Sequence, residues 1–561
     1  MTNRDIREPL RISGLEGIEP EGDRLERAVW LAVGLGVGLR LLRYLLNFPL
    51  WVDEAKLATS LLDRGYVDLL EPLNYGQTSS VGYLWLTLSV VKLFGFNEWA
   101  LRLVSCAAAI GGVLLIRRLA SRLVSGIPLL LAVTLVSVSY YPLRLAGDVK
   151  PYTMDLFVAA ALLTLAVEWW VDPDRSLWLW ALAAFAPFAV VLSNPSIFIL
   201  AGIGLALIGP VGRSKSWSCA LALALFGLLS LGAFWINYRV VAQAQYALSV
   251  ELARTTDFWA DAFPDLGKPF GILSWLLRAH VGRMFGYPVG FDAGGGALTF
   301  ILLVVGSVVL YRTRRRVPVA LLLFPFGFGL IAAVMHKYPY GLGGRISQWA
   351  VPSICVLAAI GFSSLVARLS SLHRRSIAVK AMLGFLIFFG LVQGLMDIVH
   401  PYKAVRDRSA RDFARWFWVE KGRDAELVCA WNDLKLPFAE PKGAHVLGNS
   451  HYWCNQRIYS PRHRRGEAAD LTQVSAKHPL RVVFLETMIN KPDSGFDEWL
   501  ESMRTEYQQV GMERHKFAHY TDSPDLEQEE VVVFEFRPRL SREEKRLERQ
   551  ERRRKMQQSS G

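Results

Sequence analysis

The stretch Leu50-Trp51-Val52-Asp53-Glu54-Ala55-Lys56 comes just after the first long apolar run of the chain. Two adjacent carboxylates at the rim of a bilayer are costly unless water, a cation or a substrate meets them. Neighbouring side chains on a helix point about 100° apart, so we do not expect Asp53 and Glu54 to serve one atom together. One would take a proton, and the other would stabilise the local structure or bind a metal or a substrate. In the structural alternative, Asp53 only caps the helix that follows.

The composition indicates an integral membrane protein. The chain has 561 residues, of which 52% are hydrophobic and 12% aromatic, and its mean hydropathy is +0.25. This is more apolar than an ordinary soluble domain. The net charge of +13 does not indicate a nucleic-acid groove, because most Lys and Arg residues lie in short clusters between apolar runs or in the final tail.

About eleven apolar runs approach the roughly 20 residues that a membrane-spanning helix needs. They start at Ala28, Asn97, Ser125, Tyr152, Ser176, Ser196, Trp217, Phe291, Val317, Ser347 and Ile377. A further apolar run, residues 81–95, is short for a span. If it lies along the outer surface as an interfacial helix, the basic clusters and the leader, residues 1–27, all fall on the cytosolic side. A second short amphipathic helix is expected from Trp275 to Phe285.

Residues 28–400 are therefore predicted to form a mainly α, polytopic transmembrane bundle, and residues 401–540 an extracytoplasmic domain. That domain is predicted to be a small α/β fold, with strands at residues 426–431, 480–485 and 531–536 and helices at 409–420 and 497–510. Residues 541–561 form a charged tail. Cys429 and Cys454 both fall in the outer domain, where they either pair as a disulfide or remain two buried thiols.

Several charged groups lie in or near the predicted outer loops. Arg40 and Arg43 are three residues apart on one face of the first span, either as an internal ion pair or in contact with a phosphate or sugar acid. Arg144, Asp148 and Lys150 lie close together just before Pro151 and Tyr152. Lys150 suits a phosphate as a mobile point charge, and Asp148 is a candidate ligand for a divalent cation. Each is alternatively a solvated loop charge.

A second loop, residues 336–345, is rich in glycine and cations. It contains His336, Lys337, Tyr338 and Arg345, and its glycines let the backbone approach a ligand closely. Arg345 can grip a phosphate with two parallel hydrogen bonds. Arg239, at the outer end of the seventh predicted span, completes a candidate cationic ring, unless it only extends to the membrane surface.

Taken in order, these stretches resemble the GT-C membrane glycosyltransferases. The resemblance is carried by the acidic pair, residues 82–86 and 94–102, Lys150-Pro151-Tyr152, and residues 338–345. The most similar branch holds the protein O-mannosyltransferases and the lipid A aminoarabinose transferases, and the resemblance covers roughly residues 28–400. Residues 73–80 depart from the basic, proline-rich segment expected of the aminoarabinose transferases.

The resemblance implies a sugar donor on a polyprenyl phosphate and a catalytic base in the first outer loop. Carried over, Asp53 is the base and Glu54 its neighbour, and Lys150 and Arg345 are the first candidates for the lipid phosphate, followed by Arg144, Arg239 and Lys337. Arg40, Arg43, Tyr152, His336 and Tyr338 are candidates for the substrate pocket. The acceptor would be a glycan, lipid or protein hydroxyl, and a divalent cation such as Mg²⁺ or Mn²⁺ is left open.

Two alternative functions, from classes other than enzymes, are left open. One is a polytopic lipid or sugar transporter or flippase, supported by the intramembrane Arg40 and Arg43. The other is a non-catalytic assembly protein whose outer domain binds partners. The expected location is the bacterial inner membrane, with the N-terminus in the cytosol. No nucleic-acid partner is expected.

Overall fold

The computed structural model divides the chain into two compact units. Unit one comprises residues 1–48 and 64–401, and unit two comprises residues 49–63 together with the segment after residue 401. The residues described are 7–19, 22–245, 262–290, 295–341, 343–420, 427–430, 450–460, 474–475, 479–485, 496–516, 530–539, 546 and 550. The charged tail apart from residues 546 and 550, and the side chain of Cys429, therefore lie outside the described part of the chain.

Unit one is a helical bundle. Its helices are α1 Gly22–Leu45, α3 Val81–Phe94, α4 Glu98–Leu123, α5 Ile127–Val138, α6 Tyr140–Arg144, α7 Tyr152–Val171, α8 Leu177–Leu192, α9 Ser196–Ser214, α10 Trp217–Asn237, α11 Pro269–Val281, α12 Gly295–Arg312, α13 Arg316–Val334, α14 Val351–Ala367 and α15 Leu372–Val399. A π-helical turn, Tyr238–Ala242, extends α10. Helix α2, Val52–Asp63, belongs to unit two.

The predicted membrane spans are helices in the structure. Nine helices in the described ranges are long and apolar enough to cross a membrane, and the bent pair α5–α6 brings the number to ten. The run predicted from Ser176 is the shorter helix α8, Leu177–Leu192. Most of the run 81–95 forms the helix α3, Val81–Phe94, which is short for a membrane span, as the sequence predicted. The chain is thus an integral membrane protein.

Small residues let two of these helices pack closely. In α12 and α14, Gly306 lies against the carbonyl of Leu357, and Gly361 lies against the carbonyl of Leu302. A Cβ at either glycine would collide with backbone, so only glycine fits this crossing. Close backbone approach through small residues is a common way for helices to associate in membranes.

The amphipathic helix of the long loop differs in its bounds from the prediction. It was expected from Trp275 to Phe285, but α11 runs from Pro269 to Val281, and a 3₁₀ turn, Arg283–Phe285, follows. Proline suits the first turn of a helix, because the N–H that it lacks would have no partner there. The helix therefore begins at Pro269, before its amphipathic stretch.

Unit two contains a four-stranded sheet with the order β1-β2-β4-β3. Its elements are α2 Val52–Asp63, α16 Val405–Arg415, a π-turn Trp416–Glu420, β1 Leu427–Ala430, α17 Ser450–Tyr459, β2 Leu480–Leu485, α18 Phe496–Glu506, β3 Tyr507–Lys516 and β4 Glu530–Pro538. Strands β1 and β2 are parallel, and the other two pairs are antiparallel. The α/β prediction is confirmed.

One predicted helix of this domain was too long. Residues 507–510 were expected to continue a helix from Asp497, but α18 ends at Glu506 and β3 starts at Tyr507. Strand β3 pairs with β4 through Gln509 and Gly511, where the register shifts at a bulge. Tertiary pairing with β4 overrides the local helical pattern here.

Candidate functional site

The acidic pair lies in the first turn of α2. The backbone N–H groups of Glu54 and Ala55 both donate to the carbonyl of Trp51, so Trp51 occupies the position that precedes the helix. The Glu54 carboxylate accepts a hydrogen bond of 3.0 Å from the backbone N–H of Trp51. This is the reciprocal half of a capping box, with the acid at the third helical position. Glu54, and not Asp53, therefore caps this helix.

The two carboxylates differ in exposure. The Glu54 side chain is 1% exposed, whereas Asp53 is partly exposed. Because they are consecutive on a helix, they face different directions. Glu54 is therefore engaged by the helix terminus, and Asp53 is nearer to solvent.

Within unit one, Arg102 fixes the backbone that follows α1. Arg102, which is 1% exposed, donates to the carbonyl of Phe48 at 2.6 Å and to the side chain of Asn47 at 3.2 Å. Asn47 has a φ of 45°, in the left-handed region that asparagine tolerates better than most residues. A buried arginine in α4 thus sets the chain direction out of the first span. Arg102 lies at the end of the stretch 94–102 named in the resemblance, but neither it nor Asn47 was a predicted site residue.

Lys150 is 4% exposed and lies between α6 and α7 in unit one. Its ammonium donates to the side-chain carbonyl of Gln77. Its own carbonyl accepts from Ser105 in α4 at 3.2 Å, and the Ser105 hydroxyl also lies 2.9 Å from that of Tyr83 in α3. Lys150 is therefore held in a buried, partly polar setting and is not a solvated loop charge. Asp148 is buried as well, at 2% exposure.

Tyr338 and its neighbours form a second polar group in unit one. The Tyr338 hydroxyl donates to the carbonyl of Ile346 at 2.9 Å. Burial raises the pKa of Tyr338 well above its usual value, and the nearby Asp155 and Tyr152 act in the same direction. Asp155, near the start of α7, accepts a hydrogen bond of 2.7 Å from the hydroxyl of Ser193. Tyr338 thus acts as a hydrogen-bond donor, and Asp155 is a buried acid to which the sequence had not pointed.

Arg345 is half-buried in a turn that its neighbours hold closed. Gln348 donates to the carbonyl of Gly344 at 2.6 Å, and Ser347 donates to the carbonyl of Gly343 at 3.1 Å. Gly344 has no room for a Cβ, because the Tyr141 ring lies against it. Gly344 therefore allows close packing of the backbone against Tyr141, and the predicted approach to a ligand stays a prediction.

The remaining cations of the predicted ring differ in their surroundings. Arg239 is exposed on the turn after α10, with its guanidinium 5.9 Å from the ring centre of Trp235. Lys337 and His336 are exposed too, and the His336 ring stacks on Phe263 at 5.1 Å. Arg144 is half-buried, 5.3 Å from the ring centre of Tyr140. These four residues are less enclosed than Lys150.

Arg40 and Arg43 make internal contacts. Arg40 is fully buried and donates to the carbonyls of Gly36, Val136 and Ser137 at 2.9–3.0 Å. Arg43 pairs with Asp397 of α15 at 2.5 Å and donates to the carbonyl of Arg144 at 2.9 Å. Both side chains thus join helices, Arg43 through an internal ion pair and Arg40 through backbone carbonyls. Asp397 was detectable as an acid within an apolar run.

Two further predictions concern metals and thiols. Within the described ranges, no three His, Cys, Asp or Glu side chains gather as metal ligands, so a site built on Asp148 has no such cluster around it. Cys454 is buried in α17. Because the Cys429 side chain lies outside the described residues, the disulfide stays a prediction.

No family model and no curated protein match this chain. Several solved structures do match it. ArnT from Cupriavidus metallidurans, bound to undecaprenyl phosphate, has 13% identity and a TM-score of 0.48, covering 90% of this chain and 97% of its own. The Archaeoglobus fulgidus oligosaccharyltransferase has 12% identity and a TM-score of 0.44 in its apo form, covering 90% and 75%. Its complex with Zn and sulfate has 14% identity and a TM-score of 0.40, covering 70% and 55%.

ArnT is a lipid A aminoarabinose transferase and so belongs to the branch that this sequence resembles. At TM-scores below 0.5, these similarities carry no argument about chemistry. The proposal for this chain therefore rests on its own residues.

Proposed function

We propose that this chain is a membrane glycosyltransferase that moves a sugar from a polyprenyl-phosphate donor to an acceptor hydroxyl. The reaction takes place on the extracytoplasmic side of the bacterial inner membrane, with inversion at the anomeric carbon. The acceptor is a glycan, a lipid or a protein. The donor's lipid tail stays in the bilayer, which is why such an enzyme needs a polytopic helical bundle like unit one.

The observation that supports the proposal most directly is the unequal use of the two acids. Glu54 is buried and caps α2, so its carboxylate is committed to structure. Asp53, one residue earlier, is partly exposed and stands on a helix that starts at Val52. A general base must reach the proton that it removes, which requires an accessible carboxylate on a fixed support. Asp53 meets this requirement and Glu54 does not.

The chemistry needs a base and a stabiliser for the leaving group. Asp53 takes the proton of the acceptor hydroxyl as that oxygen attacks the anomeric carbon. The bond between that carbon and the phosphate oxygen breaks, and negative charge grows on the polyprenyl phosphate. A single displacement inverts the configuration. Cations held in place beforehand in a partly dry site stabilise such charge better than water does.

Lys150 and Arg345 are our choice for the phosphate-binding cations. Lys150 is buried and held by its contacts with Gln77 and Ser105, so it needs little reorganisation to meet a charge. Arg345 lies in a glycine-lined turn whose carbonyls are already occupied. Arg144, Arg239 and Lys337 are secondary candidates. Arg40 and Arg43 have no part in the proposal, because their contacts are with the bundle.

The test is transfer by purified protein in proteoliposomes. Radiolabelled sugars on undecaprenyl phosphate serve as donors, and envelope extract from a deletion strain supplies acceptors. We expect label to pass to the acceptor with release of polyprenyl phosphate, and mass spectrometry of the deletion strain's glycolipids and glycans to identify the missing sugar. Accumulation of the intact donor across the membrane without release of phosphate would instead show a flippase.

A further inference from the structure

Lys403 contacts the acidic helix from the far end of the sequence. It lies a few residues after α15 ends at Val399, and it belongs to unit two, as α2 does. Its ammonium is 3.8 Å from the Glu54 carboxylate and 4.7 Å from the ring centre of Trp51. The side chains of Lys403 and Glu54 are 13% and 1% exposed. One lysine thus meets both residues that define the start of α2.

The charges explain why this contact matters. A carboxylate as buried as that of Glu54 is costly unless it is paired and hydrogen-bonded. The backbone N–H of Trp51 supplies the hydrogen bond, and Lys403 supplies the opposite charge. The same ammonium over the indole adds a cation–π attraction. Lys403, Trp51 and Glu54 therefore form a set of mutual contacts, and together these contacts stabilise the first turn of α2.

Asp53 lies inside this turn. Its backbone is flanked by Val52 and Glu54, so the direction of its side chain depends on where Glu54 is held. Helix α2 also packs against α17, Ser450–Tyr459, within unit two. The helix that carries the acidic pair thus takes its support from residues after the last span. The sequence shows no such link, because Lys403 and Glu54 are hundreds of residues apart.

We infer that Lys403 is a positioning residue for Asp53, acting through Glu54 and Trp51. The inference rests on the proposed function, since it concerns the same base. It assigns a role to the segment after the last span, which is to hold the catalytic helix in its working orientation. Lys403 itself contacts neither donor nor acceptor in this role.

Three variants test the inference in the transfer assay. Lys403→Met keeps an apolar stem of similar length but removes the charge, whereas Lys403→Arg keeps the charge. Lys268→Met is the matched control, because Lys268 is 79% exposed in another loop and pairs only with its neighbour Asp265 among the ion pairs described. We expect Lys403→Met to lower kcat about tenfold or more with little change in the KM of the donor, because a small displacement of a base slows the chemical step. Lys403→Arg should recover most of the rate, and the control should match the wild type.

Hydrogen–deuterium exchange gives a readout that does not depend on activity. We expect faster amide exchange in the peptide covering residues 51–63 of Lys403→Met than in the wild type or in Lys268→Met, because the first turn loses its counter-charge. A normal kcat in Lys403→Met overturns the inference. So does a loss of kcat that comes without faster exchange in this peptide or that Lys403→Arg does not recover.

The two proposals fail in different ways. If the wild type transfers no sugar from any polyprenyl-phosphate donor, the proposed function is wrong, and the catalytic part of the inference falls with it. If the wild type transfers sugar and Lys403→Met does so equally well, only the inference about Lys403 is wrong.

Discussion

At the scale of single residues, Lys150 combines a positive charge with nearly complete burial. Such a group is retained where it meets a negative ligand or a fixed dipole. We predict that Lys150→Ala raises the KM or Kd of the polyprenyl-phosphate donor about tenfold or more, and that Arg345→Ala has a similar effect, because each removes a cation from the phosphate. Donor titration of the purified variants measures this.

Arg239→Ala serves as the control for this pair. Its guanidinium is exposed and lies over Trp235, so its loss should affect donor binding less. Unchanged donor affinity in both Lys150→Ala and Arg345→Ala, with a loss in Arg239→Ala, would move the phosphate site away from these two residues.

The sequence predicted the types of these residues better than their partners. The acidic pair and Lys150 were recognisable because charges beside apolar runs need a reason. The cap formed by Glu54 and the contact of Lys403 were not predictable, since both depend on which side chains the fold brings together. Arg40 shows the same limit, because its carbonyl partner Ser137 is 97 residues away.

At the scale of secondary-structure elements, the break between α5 and α6 depends on Arg40. Helix α5 ends at Val138, and the last carbonyls of a helix lack partners within it. Arg40 donates to those of Val136 and Ser137. We predict that Arg40→Met destabilises the protein by about 3 kcal/mol or more, because each buried carbonyl left unsatisfied costs about 1–3 kcal/mol.

Thermal denaturation of the detergent-solubilised protein measures the effect as a lower Tm. Arg312→Met is the matched control, since Arg312 is exposed at the end of α12. Equal Tm values for Arg40→Met and the wild type would show that the break is stable without the guanidinium.

The stability of the protein is expected to depend on pH through His280 in α11. His280 accepts from or donates to the Tyr340 hydroxyl at 3.2 Å, and its other ring nitrogen lies 2.8 Å from the Leu276 carbonyl. A neutral ring satisfies both contacts if it donates to Leu276 and accepts from Tyr340. Burial lowers the pKa of His280 below its usual value, and the bond to Leu276 opposes this only in part.

The direction of the pH effect on stability follows from where His280 takes up a proton. In the unfolded chain His280 binds a proton below a pH of about 6.5, while in the folded protein it stays neutral to lower pH. This contribution to stability is therefore complete above the unfolded pKa and is lost as the pH falls through it. We predict a smaller decrease in Tm between about pH 7.5 and 5.5 for His280→Phe than for the wild type. Equal decreases would assign the acid sensitivity to other groups.

Helices were easier to predict than strands in this chain. Long apolar runs identify spans by length alone, and each of the predicted runs is helical in the structure. Strand β3 was missed because residues such as Gln508 and Gln509 carry little strand preference and depend on pairing with β4. The start of α11 was misplaced because Pro269 begins the helix before its apolar face is established.

At the scale of the whole molecule, the topology makes a prediction about sidedness. Three spans, α10, α12 and α13, separate Lys215 from Lys337, so the two residues should lie on opposite sides. We predict that, in a variant without native cysteines, Lys337→Cys reacts with an impermeant maleimide from outside intact spheroplasts, whereas Lys215→Cys reacts only after lysis. The reverse pattern would invert the orientation, and labelling of both from outside would contradict the span count.

The division into units was only partly predictable. The sequence placed a domain boundary near residue 400, and the structure places Pro401 and Tyr402 on either side of the division. That Pro49–Asp63 belongs with the later segment was not foreseen. Hydrophobic periodicity gives the buried face of a helix but not the element that covers it, so the partner of α2 became known only from the fold.

If Asp53 is the base of a sugar transfer, Asp53→Asn should abolish the reaction, because asparagine keeps the shape but cannot take the proton. Asp265→Asn, at an exposed aspartate of another loop, is the control. We expect no measurable transfer by Asp53→Asn in the polyprenyl-phosphate assay, normal membrane insertion and Tm, and full activity of the control. Transfer by Asp53→Asn at the wild-type rate would show that Asp53 is not the base.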